Sequence, residues 1–446
     1  MSVQQIECAV ELRDRIAAGA VKAADVAKAA IERIEALEDS VRAFAWFDPA
    51  FVLTQAAELD RYRKTGRDLG PLHGVPVAIK DIIDTAKIPT ENGSAVDAGR
   101  VPSRDAFVVA RLKQAGALIM GKTVTTELAF MDPGVTRNPH NPDHTPGGSS
   151  SGSAAAVAAG MVPLAIGTQT AGSVIRPASF CGAFGFKPSF GMIPRTGILT
   201  QAPSLDTVGV FANSVAGAAL LAETLAGYDE KDLATGTMPV PHLLAGAQSL
   251  PPVEPAIALV KPPGWENADK VMQDGFDELA GFLGENCIEV ALPPHFDQHM
   301  QLRETVQLAE LAKSYYRYSE QEKAIGPKVL QAIRSGAKIP VRDYLAARDW
   351  PAIYNAALEE ILDRFDFILT PAAPGPAPKG LSDTGNPVFN GLWTFCGVPC
   401  ITLPLMATPE GLPMGVQLVM RRGEDGRLLR NAAWLTRLVR SAQADG

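Results

Sequence analysis

Histidine is scarce in this chain. The 446 residues include six, His73, His140, His144, His242, His295 and His299, and none falls in either of the two serine-rich stretches. A Ser–His–Asp triad is therefore not written in the local sequence. Cysteine is scarcer still: Cys8, Cys181, Cys287, Cys396 and Cys400 are odd in number and irregularly spaced, which fits neither a disulfide framework nor a zinc site. His295 and His299 lie four apart, but Pro293 and Pro294 precede them and no third ligand is evident, so no metal is expected. Long apolar runs are missing, and nothing approaches the ~20 residues of a membrane helix. Basic blocks are missing too, and the net charge is −8. Nucleic acid and anionic membranes are poor partners for such a surface. The N-terminus MSVQQIECAVELRDRI has no basic start followed by an apolar stretch, so a signal peptide is not expected. These absences leave a cytoplasmic enzyme that needs no cofactor.

What is present is apolar and small. Hydrophobic residues make up 46% of the chain, with 40 glycines. Length alone suggests about three domains, but no linker separates them, and one large domain is expected. Its regions are an N-terminal helical part (1–65), a glycine-rich core of motifs (66–227), a helix-rich insertion (228–364) and a C-terminal return of strands and a helix (365–446). Short apolar runs such as Val75 to Ile79, Val162 to Ile166, Cys400 to Leu405 and Gly415 to Met420 read as buried strands. Helical periodicity separates them, as in Val26, Ala30, Ile34 and Leu37. This alternation predicts an α/β fold: a mixed, twisted sheet covered by helices on both faces.

Three motifs carry chemistry. GTQTAGSVIRPAS (Gly167 to Ser179) leaves a strand, turns, and enters a segment whose Pro177 suits the first turn of a helix. A serine at such a bend sits beside free backbone N–H groups, which can hold an oxyanion. Ser173 is thus either a nucleophile, with the N–H groups of Thr170, Ala171, Gly172 and Ser173 as donors, or simply a helix cap. A serine nucleophile needs a base. Lys80, in GVPVAIKD, follows an apolar strand, and burial lowers a lysine pKa. The alternative for Lys80 is a solvated charge or an ion pair with Asp81 or Asp84. The run PGGSSSGSAAAVAAG (Pro146 to Gly160) holds three serines between glycines, ahead of an alanine-rich helix that should pack tightly. One of these serines could relay a proton between Lys80 and Ser173.

Together the three motifs resemble the amidase signature family, over nearly the whole chain. The family combines a lysine, a serine preceded by a cis peptide bond and a nucleophilic serine. The resemblance implies Lys80 as base, Ser149 as bridging serine after a cis Gly148–Ser149 bond, and Ser173 as nucleophile. VAIKDIIDTA, NPHN, PGGSSSGSAAAV and the LWT and PC segments are similar to malonamidase-type members. Gln169 stands where the broader family commonly has aspartate, and Arg176 lies three residues after Ser173 rather than two. Arg176, Ser150 and Gln169 are the candidates for substrate binding. Were a helix to begin at Ser173, Arg176 would share its face and could hold a substrate carboxylate bidentately. Its alternative is an internal ion pair. Ser150 is expected to donate a supporting hydrogen bond. The implied activity is hydrolysis of a small carboxylate-bearing amide, such as malonamate, through an acyl-serine, by a possible homodimer. The rivals are a broad aliphatic or aromatic amidase and the glutaminase subunit of a tRNA-dependent amidotransferase.

Overall fold

The computed structural model describes residues 7–237, 239 and 241–445. The first six residues, where a leader would begin, lie outside that range. One 11-stranded sheet runs through the molecule. In chain order its strands are β1 (Phe44–Phe47), β2 (Pro76–Lys80), β3 (Leu118–Thr123), β4 (Leu164–Gln169), β5 (Phe184–Lys187), β6 (Thr207–Ala212), β7 (Ile257–Leu259), β8 (Cys287–Glu289), β9 (Phe367–Pro371), β10 (Cys400–Ala407) and β11 (Pro413–Val419). Across the sheet the order is β1-β3-β2-β4-β6-β5-β10-β11-β9-β7-β8. β2 runs parallel to β3 and β4, and β7 parallel to β8 and β9. The central strands pair antiparallel. The sheet is mixed, as expected, and its middle strands are buried at every position. A strand covered on both faces needs a continuous apolar run rather than alternation, which is why these segments were readable.

Helices cover both faces. One core layer joins β2, β4 and β6 to the helix Val215–Leu225 and to the C-terminal helix Asp425–Asp445. The other joins the sheet to the helix Ala23–Val41 and to Ser151–Ala158. The latter helix is buried from Ser151 to Val157. A helix enclosed on all sides has no room for long side chains, and serine, glycine and alanine meet that demand. Two expectations shift in detail. The segment Val41 to Phe47 is a strand only from Phe44, because Val41 closes the preceding helix and Arg42 turns in the left-handed region (φ 54°). The alanine-rich helix begins at Ser151 rather than Ser153. β6 and the helix Val215–Leu225 were not anticipated.

Among the described residues no helix is long and apolar enough to cross a membrane. Replacing Ala155, fully buried in the enclosed helix, with leucine is expected to overpack the layer and cost about 1–3 kcal/mol. Urea denaturation checks this: the midpoint should fall while the slope stays constant.

Candidate active site

Parallel β2 and β4 end on the same side of the sheet, and the chemistry-bearing residues gather there. β2 stops at Lys80, whose side chain is fully buried. Its Nζ lies 2.7 Å from Ser149 Oγ and 3.0 Å from Thr168 Oγ1. No carboxylate comes within ion-pair distance of it among the described residues. The ion-pair alternatives fall away, because Asp81 faces Lys122 at 3.8 Å and Asp84 pairs with Arg100 at 2.7 Å. Burial draws the Lys80 amine down from the ordinary lysine range to about 7, and the charge of Asp206 partly opposes that. Asp206 is itself half-buried. Burial raises it to about 6, against hydrogen bonds from Thr170 Oγ1 (2.7 Å) and the N–H groups of Gln201 and Ala202.

Ser149 is buried, and the Gly148–Ser149 peptide is cis, as the resemblance implies. Its neighbour Ser150 is spent on structure. Beyond the residues that β2 pairs with, β4 lacks a partner on that side, and Ser150 Oγ supplies one. It donates to the Thr168 carbonyl (3.1 Å) and accepts from the Thr168 N–H (3.2 Å). The expected supporting bond exists, but Ser150 is fully buried and is not placed to touch substrate.

Gln169 is corrected in the same way. It is buried, its Oε1 accepts from the N–H groups of Val174 (2.8 Å) and Ile175 (3.0 Å), and its Nε2 donates to Thr394 Oγ1 (2.8 Å). Thr394 Oγ1 in turn donates to the Ala171 carbonyl (2.7 Å). Both ends of the amide are used to brace the turn between β4 and the helix Ile175–Cys181. Gln169 therefore shapes the turn instead of facing a ligand.

Within that turn the N–H groups of Ala171, Gly172 and Ser173 have no acceptor among the described residues. The Ser173 hydroxyl also has no hydrogen-bond partner there, so no bond joins it to Ser149. The helix begins two residues later than the expected start at Ser173. Ser173 is half-buried and lines a cavity of about 90 Å³ with Ala171, Gly172, Arg176, Arg303 and Gln307.

Arg176 is 5% exposed and makes no ion pair among the described residues. Its Nη2 donates to the Gly148 carbonyl (2.8 Å) and to Thr384 Oγ1 (3.2 Å), while Nε and Nη1 are buried without an acceptor. Burial lowers it to about 10, with Asp383 opposing. The internal ion pair is thus not formed. The bidentate edge is only half available, since Nη2 is already engaged. Thr168, Asp206, Arg303 and Gln307 were not anticipated. Thr168 lay inside a motif, but the other three reach the site only through folding.

A lysine held among hydroxyls, a serine hydroxyl free at a cavity wall and three unpaired N–H groups beside it suit acyl transfer. Comparison with known proteins decides the family. The amidase family model matches residues 25–429. The chain belongs to the amidase family. It is an amidohydrolase, acting on C–N amide bonds. It is 34% identical over 467 residues to a glutamyl-tRNA(Gln) amidotransferase subunit from Carboxydothermus hydrogenoformans, covering 95% of each chain. The corresponding subunit from Chloroflexus aurantiacus is 32% identical over 464 residues, covering 93% of each. Among solved structures, the native peptide amidase from Stenotrophomonas maltophilia superimposes with a TM-score of 0.84 at 29% identity, covering 98% of both chains.

The electrostatics give a signed expectation. A neutral Lys80 amine can accept a proton and a protonated one cannot, so kcat/KM should fall as pH drops through about 7. Asp206 holds the amine's pKa up, so Asp206→Asn should move this acid limb to lower pH. A pH–rate profile of both proteins measures the shift, and an unmoved limb would detach Asp206 from the base.

Proposed function

We propose that this amidase hydrolyses a small amide bearing a carboxylate, malonamate-like in size and charge. The observation that carries the reading is Arg176: buried, unpaired with any carboxylate, and on the wall of the same cavity as Ser173. Desolvating a guanidinium without a counter-ion is costly, and a substrate acid would relieve that cost. Malonamate is a small acid amide, in keeping with the modest cavity. The resemblance of the motif segments to malonamidase-type members, read from the sequence, supports the same choice.

In the proposed mechanism Ser149 passes its proton to the neutral Lys80 amine and takes the proton of Ser173. The Ser173 oxygen bonds to the amide carbon. The resulting oxyanion is held by N–H groups of the turn from Thr170 to Ser173, where one such donor is typically worth ~10²–10³ in rate. The C–N bond then breaks, and the proton returns through Ser149 to the departing nitrogen, which leaves as ammonia. Water attacks the acyl-Ser173 by the same relay and releases the acid. The Ser149–Ser173 link closes in this scheme as substrate binds, since catalytic hydrogen bonds often tighten only in the Michaelis complex.

A second reading is glutamine hydrolysis as part of an amidotransferase. It is favoured by the curated relatives, whose name makes them subunits. Glutamine also carries a carboxylate, so Arg176 alone does not separate the two.

Ammonia release from malonamate, malonamide, glutamine and benzamide separates the readings. Malonamate should give the highest kcat/KM, and Ser173→Ala should lower it by about 10⁴-fold or more. Arg176→Leu should cost about 30-fold or more on malonamate. Should glutamine lead the panel, the amidotransferase reading replaces ours.

A further inference from the structure

A second guanidinium faces the same cavity. Arg303, on the helix His299–Ser314, lines it together with Ser173 and Arg176. It is 9% exposed and has no carboxylate within ion-pair distance among the described residues. Burial lowers its pKa, opposed by Glu304. Glu304 is the one acid on the cavity wall, and it is exposed. The wall therefore carries two buried cations against one solvated anion.

The placement of Arg303 is specific. A Cβ at Gly391 would lie 2.8 Å from Arg303 Nε and 2.9 Å from its Cδ, so a side chain there would push the arginine aside. The preceding residue, Asn390, packs against the turn before Ser173: a Cβ at Gly172 would meet Asn390 Oδ1 at 2.5 Å. Two consecutive residues thus tie Arg303 to that turn. A one-way chain of donors holds the guanidinium in place. Arg303 Nη1 donates to Gln307 Oε1, Gln307 Nε2 donates to Gln201 Oε1 (2.6 Å), and Gln201 Nε2 donates to the Ala129 carbonyl (3.0 Å). Leu128 and Ala129 both sit in the left-handed region (φ 47° and 56°). Such backbone is unfavourable for residues with a Cβ and gathers at ligand sites. The chain fixes one arm of Arg303, while Nε and Nη2 have no acceptor among the described residues.

We propose that Arg303 is a second specificity residue, which together with Arg176 holds the carboxylate of the substrate between the helices Ile175–Cys181 and His299–Ser314. This rests on the acid-bearing substrate proposed above. Arg176 has Nη2 engaged and cannot saturate a carboxylate, which offers about four lone-pair sites. Donors on a second element complete the set and fix the distance from the acid to the scissile carbonyl. The substrate class is accordingly the monoamides of short dicarboxylic acids, with neutral amides of equal size discriminated against.

The test is the ratio of kcat/KM for malonamate to that for malonamide, in wild type, Arg176→Leu, Arg303→Gln and Arg303→Lys. Arg303→Gln should lower the ratio about tenfold or more, with the loss on malonamate in KM rather than kcat. Arg303→Lys should recover part of it. An unchanged ratio in Arg303→Gln, or an equal loss on both substrates, overturns the proposal while a drop in Arg176→Leu leaves the acid-bearing reading standing. A wild type without preference for malonamate sinks that earlier reading instead. If Arg303→Gln does not fold, Arg303→Lys decides. Its shorter arm should still lower the ratio below wild type, and an unchanged ratio overturns the proposal.

Discussion

The site depends on an amine buried among hydroxyls. Three lysines, Lys80, Lys122 and Lys187, are fully enclosed in this protein, and burial depresses all three. Their partners differ in kind. Lys122 donates to the Ile83 carbonyl and to Thr90 Oγ1 and stands near Asp81; Lys187 donates to the carbonyls of Pro188 and Val398. Carbonyls and carboxylates only accept, so they favour an amine that keeps all its protons. Lys80 meets two hydroxyls, Ser149 and Thr168, which donate as readily as they accept. That all-hydroxyl environment suits the proton exchange proposed for Lys80. The end of β2, the loop carrying Ser149 and the end of β4 all converge to provide it.

Small side chains make the convergence possible. The enclosed helix Ser151–Ala158 brings the serine run down onto β4, where Ser150 completes the pairing that β2 leaves unfinished. Gln169 and Thr394 then hold the next turn so that its N–H groups stay unclaimed. Backbone donors normally find partners in a protein interior. Here a side-chain amide takes the N–H groups of Val174 and Ile175 and leaves those before them open.

Much of this was legible in the sequence, for local reasons. Strands buried on both faces announce themselves as apolar runs, and Lys80, Ser149 and Ser173 each lie in a compact motif. What escaped is non-local. β6 reads Thr-Val-Gly-Val-Phe-Ala, a short run broken by a glycine. Its role, carrying Asp206 up to Thr170, exists only once β4 and β6 pair. Arg303 lies far along the chain in an insertion with no motif of its own. Gln169 and Ser150 both lie in the motifs, but sequence could not say that both point into the scaffold. The late start of the helix at Ile175 has the same cause: the turn is held by a side chain, and no residue pattern encodes that.

Arg176 joins two tasks that enzymes usually keep apart. Its Nη2 holds the carbonyl of Gly148, the residue bonded to Ser149, while Nε and Nη1 are buried without an acceptor. A laboratory evolution campaign that exchanged this arginine for a new preference would loosen the support of Ser149, the proposed proton carrier. Selection should therefore reach new acyl groups more readily through Arg303 in the insertion, whose hydrogen bond goes to Gln307 and not to the support of Ser149.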